Sequence, residues 1–533
     1  MKKYLIIALV IGLTACSDSF LEKLPTDSTV EENFYKTPED AYEGLVSVYD
    51  ALQVDYDGFT NYIIISEIVS DNCYSGGGTG DAANTLDTFQ PKFDQFAPIW
   101  KKYFMAIYRA NVLLSKLDGV EWGNDTALKT RYEAEARFLR AYFYFDVVRM
   151  FGNVPLITEP LSADEYYVPQ AAPADVYKFI AEDLKFAIEN LASTSYGSIP
   201  TSEYGRVNKW GAEGLLARVY LFYTDYYKTN DLAGVFTRAQ VRTYADDLIQ
   251  NSGFGLVEDF SRLWRAANPS FIGENNKETV WAIKYTYKAF NDANKYDGSR
   301  WEVMVGLRSA AHPPYGLGWG VGTVSQKLWD AYSTADQRRN ASIISIQAEG
   351  ITLAAVDQRQ NTGFFWKKYI PYANTDGNNA TTDLGANFQN DNFEDYIVVR
   401  YSDVLLMAAE LHLSEGGDIT KAQSYFDQVR KRGFGVTIGS IDEPTYNANY
   451  ARNLAGGNAK SIIMDERRFE LALEGHRYWD LIRQGIDVAS QAIDNPTSDE
   501  FNAEFRPETK GLLAIPDTQI NLSRGTLTQN TGW

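Results

Sequence analysis

One irregular stretch of this 533-residue chain carries Tyr285, Tyr287, Tyr296, Trp301, Tyr315 and Trp319, interleaved with Asn291, Asp292, Asn294, Asp297, Arg300 and Arg308. That mixture suits the recognition of sugars. A pyranose ring has an apolar face of C–H groups and a rim of hydroxyls, so an aromatic ring can stack on the face while amides, carboxylates and guanidinium groups bond the rim. The same rings would also serve as helix-packing core. The Gly- and Pro-rich run from His312 to Gly320 tilts Tyr315 and Trp319 toward exposure.

Acid chemistry is the competing reading. Glu466 and Glu470 lie four residues apart on one helix face, with Arg467 and Arg468 beside them. A glycoside hydrolase needs two carboxylates roughly 5–10 Å apart, but acids and bases at this spacing more commonly form buried ion pairs between helices. No catalytic residue is assigned. Ser75-Gly76-Gly77-Gly78-Thr79-Gly80 has neither the lysine nor the fused helix start of a phosphate cradle and is expected to be a flexible loop. His-Glu-x-x-His, Gly-x-Ser-x-Gly and Ser-x-x-Lys signatures with supporting context are absent, and His312, His412 and His476 are far apart. No metal or cofactor is assigned. A net charge of −20 argues against nucleic acid, whose binders rely on Lys and Arg to displace counterions.

The first sixteen residues give an address. Lys2 and Lys3 precede an apolar run from Leu5 to Leu13, and Leu13-Thr14-Ala15-Cys16 follows directly. The run is about half of the ~20 residues a spanning helix needs, so residues 1–15 are expected to be a cleaved export signal. Leu-Thr-Ala-Cys resembles the bacterial lipobox, which predicts that the Cys16 thiol carries diacylglycerol and that acyl chains such as palmitate anchor the mature chain. Cys73 is then left without a disulfide partner, and nothing around it lowers its pKa to make it a nucleophile.

Around these residues the elements are mostly helical. Residues 16–36 are expected to be a lipidated tether, and residues 37–533 a single domain. Thr37 before Pro38 opens a helix with Ala41, Leu45, Val48 and Leu52 on one face. Further helices are predicted at about 95–117, 127–151, 173–192, 208–228, 237–251, 400–415, 418–432 and 459–484. Tyr401–Phe434 forms one 34-residue unit with small residues facing large ones across Gly416-Gly417, a tetratricopeptide-like pattern. Between about 252 and 399, Gly, Asn, Asp and aromatics rise, with short apolar runs such as Thr279–Ile283. This loop-rich insertion, like that from Ser70 to Pro98, is where ligand contacts are expected. The fold class is mainly α: a tetratricopeptide-like helical-repeat scaffold with an irregular insertion carrying the ligand site.

An ordered set of segments carries a resemblance across nearly the whole mature chain. They are Cys16-Ser17-Asp18-Ser19-Phe20-Leu21-Glu22, Phe34-Tyr35-Lys36-Thr37-Pro38, Tyr108-Arg109-Ala110-Asn111, Glu133 to Tyr142 leading to Phe151-Gly152-Asn153-Val154-Pro155, and Gly205-Arg206-Val207-Asn208-Lys209-Trp210. Val399 to Glu410, Asp465-Glu466-Arg467-Arg468, Glu474 to Leu481 and Ala514-Ile515-Pro516-Asp517 complete it. The sequence resembles the SusD/RagB family of outer-membrane nutrient-binding lipoproteins. Ala514 replaces a usual proline, a departure confined to a terminal loop.

The resemblance implies four degenerate tetratricopeptide-like units and a role in capture for polysaccharide utilisation, not catalysis. It implies a protein lipid-anchored through Cys16 on the outer face of the outer membrane, binding an oligosaccharide and passing it to a SusC-like TonB-dependent transporter. The alternatives are a peptide ligand or, less in keeping with the residues, a glycoside hydrolase. By position, the family's site draws on the loop after Ser-Asp-Asn and on the central region, which implies Asp71, Asn72, Tyr74, Tyr296, Trp301, Tyr315 and Trp319 as ligand contacts.

Overall fold

The computed structural model describes residues 34–53, 61–90, 94–268, 270–287, 297–353, 357–437, 440, 442–496 and 500–533. The leader, Cys16, most of the tether and Tyr296 lie outside the described residues.

The helices begin where capping chemistry places them. Helix α1 (Pro38–Gln53) starts from a reciprocal cap: the Thr37 amide donates to Asp40 Oδ2 (2.7 Å) and the Asp40 amide to Thr37 Oγ1 (3.2 Å). Helices α2 (Tyr62–Ile68), α3 (Ala97–Lys116), α4 (Thr126–Phe151), α5 (Pro173–Asn190), α6 (Lys209–Tyr227) and α7 (Arg238–Asn251) follow. Each long helix packs on its successor from α3 to α7, and α1 covers α3 and α4. This is the stacked array that a degenerate helical repeat produces.

The 34-residue unit is a helical hairpin, α8 (Tyr401–Leu411) and α9 (Ile419–Gly433), docked on α7 through α8. His412 organises its turn. Its Nδ1 accepts the Asp418 amide (3.0 Å) and its Nε2 faces Asp246 Oδ1 (3.1 Å).

The long helix expected at 459–484 is two helices, α10 (Ala459–Leu471) and α11 (Arg477–Gln484). Leu473 takes a left-handed backbone (φ 64°), which turns the Glu474 carboxylate inward to Lys368 Nζ (2.7 Å) and Arg400 Nε (3.0 Å). Those inward ion pairs and the turn replace the helical continuation that the apolar period suggested.

The irregular part is closed at its neck. Strand β1 (Thr279–Ile283) pairs antiparallel with β2 (Tyr396–Arg400), and Arg400 leads directly into α8. Within the insertion, Ile343–Ser345 pairs with Phe364–Trp366, and Leu307–Arg308 runs parallel to Leu317–Gly318. The chain is thus about half helix with few strands, a helical scaffold bearing an irregular insertion.

Candidate functional site

The two loop regions singled out in the sequence meet in space. Cys73 bridges Val324 and Gly76 bridges Val321, both antiparallel, and the Tyr74 amide donates to Thr323 O (2.9 Å). The glycine run is therefore a packed seam, in contrast to the flexible loop expected. Gly76 sits at φ +62°, and a Cβ there would lie 2.5 Å from the Gly320 carbonyl. Glycine serves here to bring two backbones together.

The same packing turns most of the expected contacts inward. Asp71 is buried and held by Arg477 (Nε to Oδ1, 2.7 Å) and Arg468 (Nη2 to Oδ2, 2.9 Å). Burial pushes its carboxyl up, but the two guanidinium groups outweigh that and hold its pKa at about 2. Asn72 donates to Glu67 Oε2 (3.0 Å) and accepts from Arg468 Nε (3.1 Å), fully enclosed. Tyr74 packs edge-on against Phe501 and accepts from Asn495 Nδ2 (3.2 Å). Asp71 and Asn72 tie α2 to α10 and α11, and Tyr74 ties the glycine seam to the later segment of Asn495 and Phe501.

Trp301 is 1% exposed, with Tyr369 and Tyr396 against its ring. Tyr315 is 3% exposed, and its hydroxyl donates to Glu349 Oε2 (2.5 Å). Neither ring presents a face for stacking, which corrects the exposure expected of Tyr315 from its Gly- and Pro-rich surroundings and the contact that the resemblance implied for Trp301. The physical reason is at Gly318, where a Cβ would stand 2.3 Å from the Gly306 carbonyl carbon. Glycines that look like loop residues permit backbone contact, and the rings between them fill the core beneath.

Trp319 differs. It is half-buried, with the Arg300 guanidinium 5.9 Å from its ring centroid. Its carbonyl accepts from Arg308 Nη1 (3.0 Å), and Arg308 clasps Asp357 through two bonds, Nη2 to Oδ2 (2.7 Å) and Nε to Oδ1 (3.2 Å). Those bonds raise the Arg308 pKa and lower that of Asp357. Arg300 Nε has no partner among the described residues. The result is an indole facing the Arg300 guanidinium, on a residue whose carbonyl is held by the Arg308–Asp357 pair, with Thr79 and Gly80 exposed on the adjoining seam. Asp357 had no sequence signal, because nothing local marks an aspartate that reaches 49 residues back to Arg308.

The acidic cluster on α10 has no catalytic freedom. Glu466 meets Arg338 (2.7 Å) and Arg430 (2.6 Å), and Glu470 meets Arg338, Arg400 and Arg432, all buried. The ion-pair reading of these carboxylates holds.

Known proteins share this architecture. Residues 346–533 match the model of the SusD family, and residues 19–221 match a second model described as starch-binding associating with outer membrane. The chain belongs to the SusD family. SusD-like protein P2 of Formosa agariphila is 26% identical over 553 residues, covering 100% of both chains. A solved structure described as a laminarin binding SusD-like protein is 29% identical with TM-score 0.73, covering 94% of this chain and 100% of that one. Surface glycan-binding protein A from Bacteroides fluxus is 25% identical with TM-score 0.76, covering 93% and 100%. On this SusD scaffold, Trp319 is the one ring among the described ligand contacts implied by the resemblance that is not buried.

Proposed function

We propose that this protein is a surface-exposed glycan-binding lipoprotein that captures an oligosaccharide on the Trp319 surface and passes it to a SusC-like TonB-dependent transporter in the outer membrane. The observation that carries the reading is the half-exposed Trp319, its indole beside Arg300 and its carbonyl held by the Arg308–Asp357 pair, at the seam where the post-Ser-Asp-Asn segment meets Gly320–Val324. A stacking face beside fixed rim donors and acceptors is what a neutral glycan needs. Relatives of the same architecture bear the descriptions laminarin binding and surface glycan-binding. The locked acids of α10 favour capture over hydrolysis.

Calorimetry against a panel of neutral oligosaccharides, with laminarin included, tests the binding. The expected result is saturable binding that Trp319→Ala weakens; a panel in which only peptides bind defeats the glycan reading. Chromatography after prolonged incubation with a bound glycan checks the absence of turnover. Anchoring is tested separately: Cys16→Ala should release the protein from the outer-membrane fraction, and co-purification from membranes should bring a β-barrel transporter with the acylated chain.

A further inference from the structure

A cavity of about 720 Å³ lies between α1 and β1, lined by neither Trp319 nor any other residue implied as a ligand contact. Its volume falls within the range of small-ligand sites. Tyr42 and Tyr49 of α1, Arg109 of α3, Tyr204 and Arg206 of the α5–α6 connection, and Lys284 after β1 give it its character.

The cations in this wall are already neutralised by the protein, and Glu43 and Asp297 add carboxylates to its lining. Arg109 Nη1 lies 2.5 Å from Asp50, Arg206 Nη2 lies 2.6 Å from Glu135, and Lys284 is paired with Asp395. An anionic ligand would have to compete with these carboxylates for each cation, so the wall does not select for an anion. It does offer hydrogen bonds. Arg109 bonds Ser47 O and Asp50 through Nη1 alone, and neither its Nε and Nη2 nor the Tyr204 hydroxyl has a partner among the described residues.

Aromatic surface is available beside those donors. Tyr42 is 36% exposed, with Arg206 5.8 Å from its ring centroid on one side, and Tyr204 is half-buried. Leu45, Leu52 and Ile283 supply an apolar floor. Rings next to unpartnered donors in a cleft whose cations are already paired match a neutral polyhydroxylated ring ligand.

We propose that this cavity is a second carbohydrate site, binding a neutral oligosaccharide segment independently of Trp319. The proposal rests on the glycan-binding reading of the chain but on a different surface. Two separated sites on one polymer raise its retention through effective concentration, with no need for a tight contact at either.

Hydroxyl-radical footprinting of the full chain, read by mass spectrometry at Tyr42 and Tyr204, tests it. The probes are laminarihexaose, cellohexaose, maltohexaose, mannohexaose and a neutral hexapeptide, each applied to the wild type and to Trp319→Ala. The expected result is saturable loss of labelling at both tyrosines with at least one saccharide, retained in Trp319→Ala. Tyr204→Ala should weaken that protection by about tenfold in dissociation constant, and an unchanged thermal melt shows that this variant is folded. Absence of protection by every saccharide overturns the second site, whatever calorimetry reports at Trp319. Protection by the hexapeptide alone overturns the carbohydrate assignment. Protection that survives while Trp319→Ala leaves total binding unchanged supports the cavity and removes the Trp319 surface, so the two readings fail separately.

Discussion

Arg400 Nη1 lies 2.5 Å from Glu470 Oε1, and neither side chain is more than 1% exposed. All five guanidinium donors of Arg400 are used: Nε on Glu474, Nη1 on Glu278 and Glu470, and Nη2 on the Glu470 carbonyl and Glu474. Around this pair, Arg338, Lys368, Arg430 and Arg432 meet Asp336, Glu278, Glu466 and Glu474, giving five buried cations against five buried anions. Asp336, Arg338 and Lys368 belong to the insertion, whereas Arg430, Arg432, Glu466 and Glu470 belong to the scaffold. The network fastens the irregular part to the repeat. Arg400→Ala should therefore cost about 3–5 kcal/mol, since it leaves buried carboxylates uncompensated. Arg400→Lys should recover little of that loss, because an ammonium cannot reproduce the five-donor fork. Denaturant unfolding of both variants checks this, and a Lys variant close to wild type would contradict it.

Stability should fall on both sides of a maximum in pH. Asp71 is held at about 2 by Arg477 and Arg468 against the opposing effect of burial, and Glu470 is lowered by Arg432, Arg400 and Arg338. These groups stabilise the fold above their ordinary values, and that contribution disappears as pH falls through the folded values. Burial acts oppositely on Glu394, raising it to about 8 even with Arg265 nearby, and on Glu302, where the Glu394 charge adds to the burial effect. The folded chain then binds more protons than the unfolded one between glutamate's ordinary 4.5 and about 8, so stability declines as pH rises through that window. Melting temperatures across pH should show this alkaline decline in the wild type and a shallower one in Glu394→Gln.

Two glycines near the candidate site should respond in opposite ways. A Cβ at Gly318 would stand 2.3 Å from Gly306 backbone, which has no flexible end to yield. Gly318→Ala should cost about 1–3 kcal/mol and weaken glycan binding by displacing the neighbouring Trp319. Gly80 has open space where its Cβ would go. Gly80→Ala should leave both the melt and the affinity unchanged, and equal effects from the two variants would contradict the packed-seam account.

The helices were legible because burial imposes a three- to four-residue period that their sequences keep. Thr37, Pro38 and the Tyr401–Phe434 hairpin stand where that reasoning places them. Leu473 escaped it, because nothing in its side chain announces a left-handed backbone. At the site, the family resemblance implied that the loop after Ser-Asp-Asn and the central region contribute together, but neither the pairing of Cys73–Gly76 with Val321–Val324 nor the role of the glycines was visible. A glycine that permits backbone contact and one that frees a loop are the same letter, and only Gly306 opposite Gly318 tells them apart. The α1–β1 cavity had no local signal either, since Tyr42, Arg109, Tyr204 and Lys284 come from four distant segments.

The resemblance implied both Trp301 and Trp319 as ligand contacts, and the two should behave differently on truncation. Trp301 is enclosed by Tyr369 and Tyr396, so Trp301→Ala opens a cavity and should cost about 3–5 kcal/mol. Its effect on binding should track the fraction of chain still folded. Trp319 keeps part of its ring at the surface beside Arg300, so Trp319→Ala should lose glycan affinity while its melting temperature stays much nearer the wild type. Thermal melts run alongside calorimetry on the same samples separate the two effects. A Trp319→Ala variant that melts as early as Trp301→Ala would show that its indole is core, and would remove it from the binding surface.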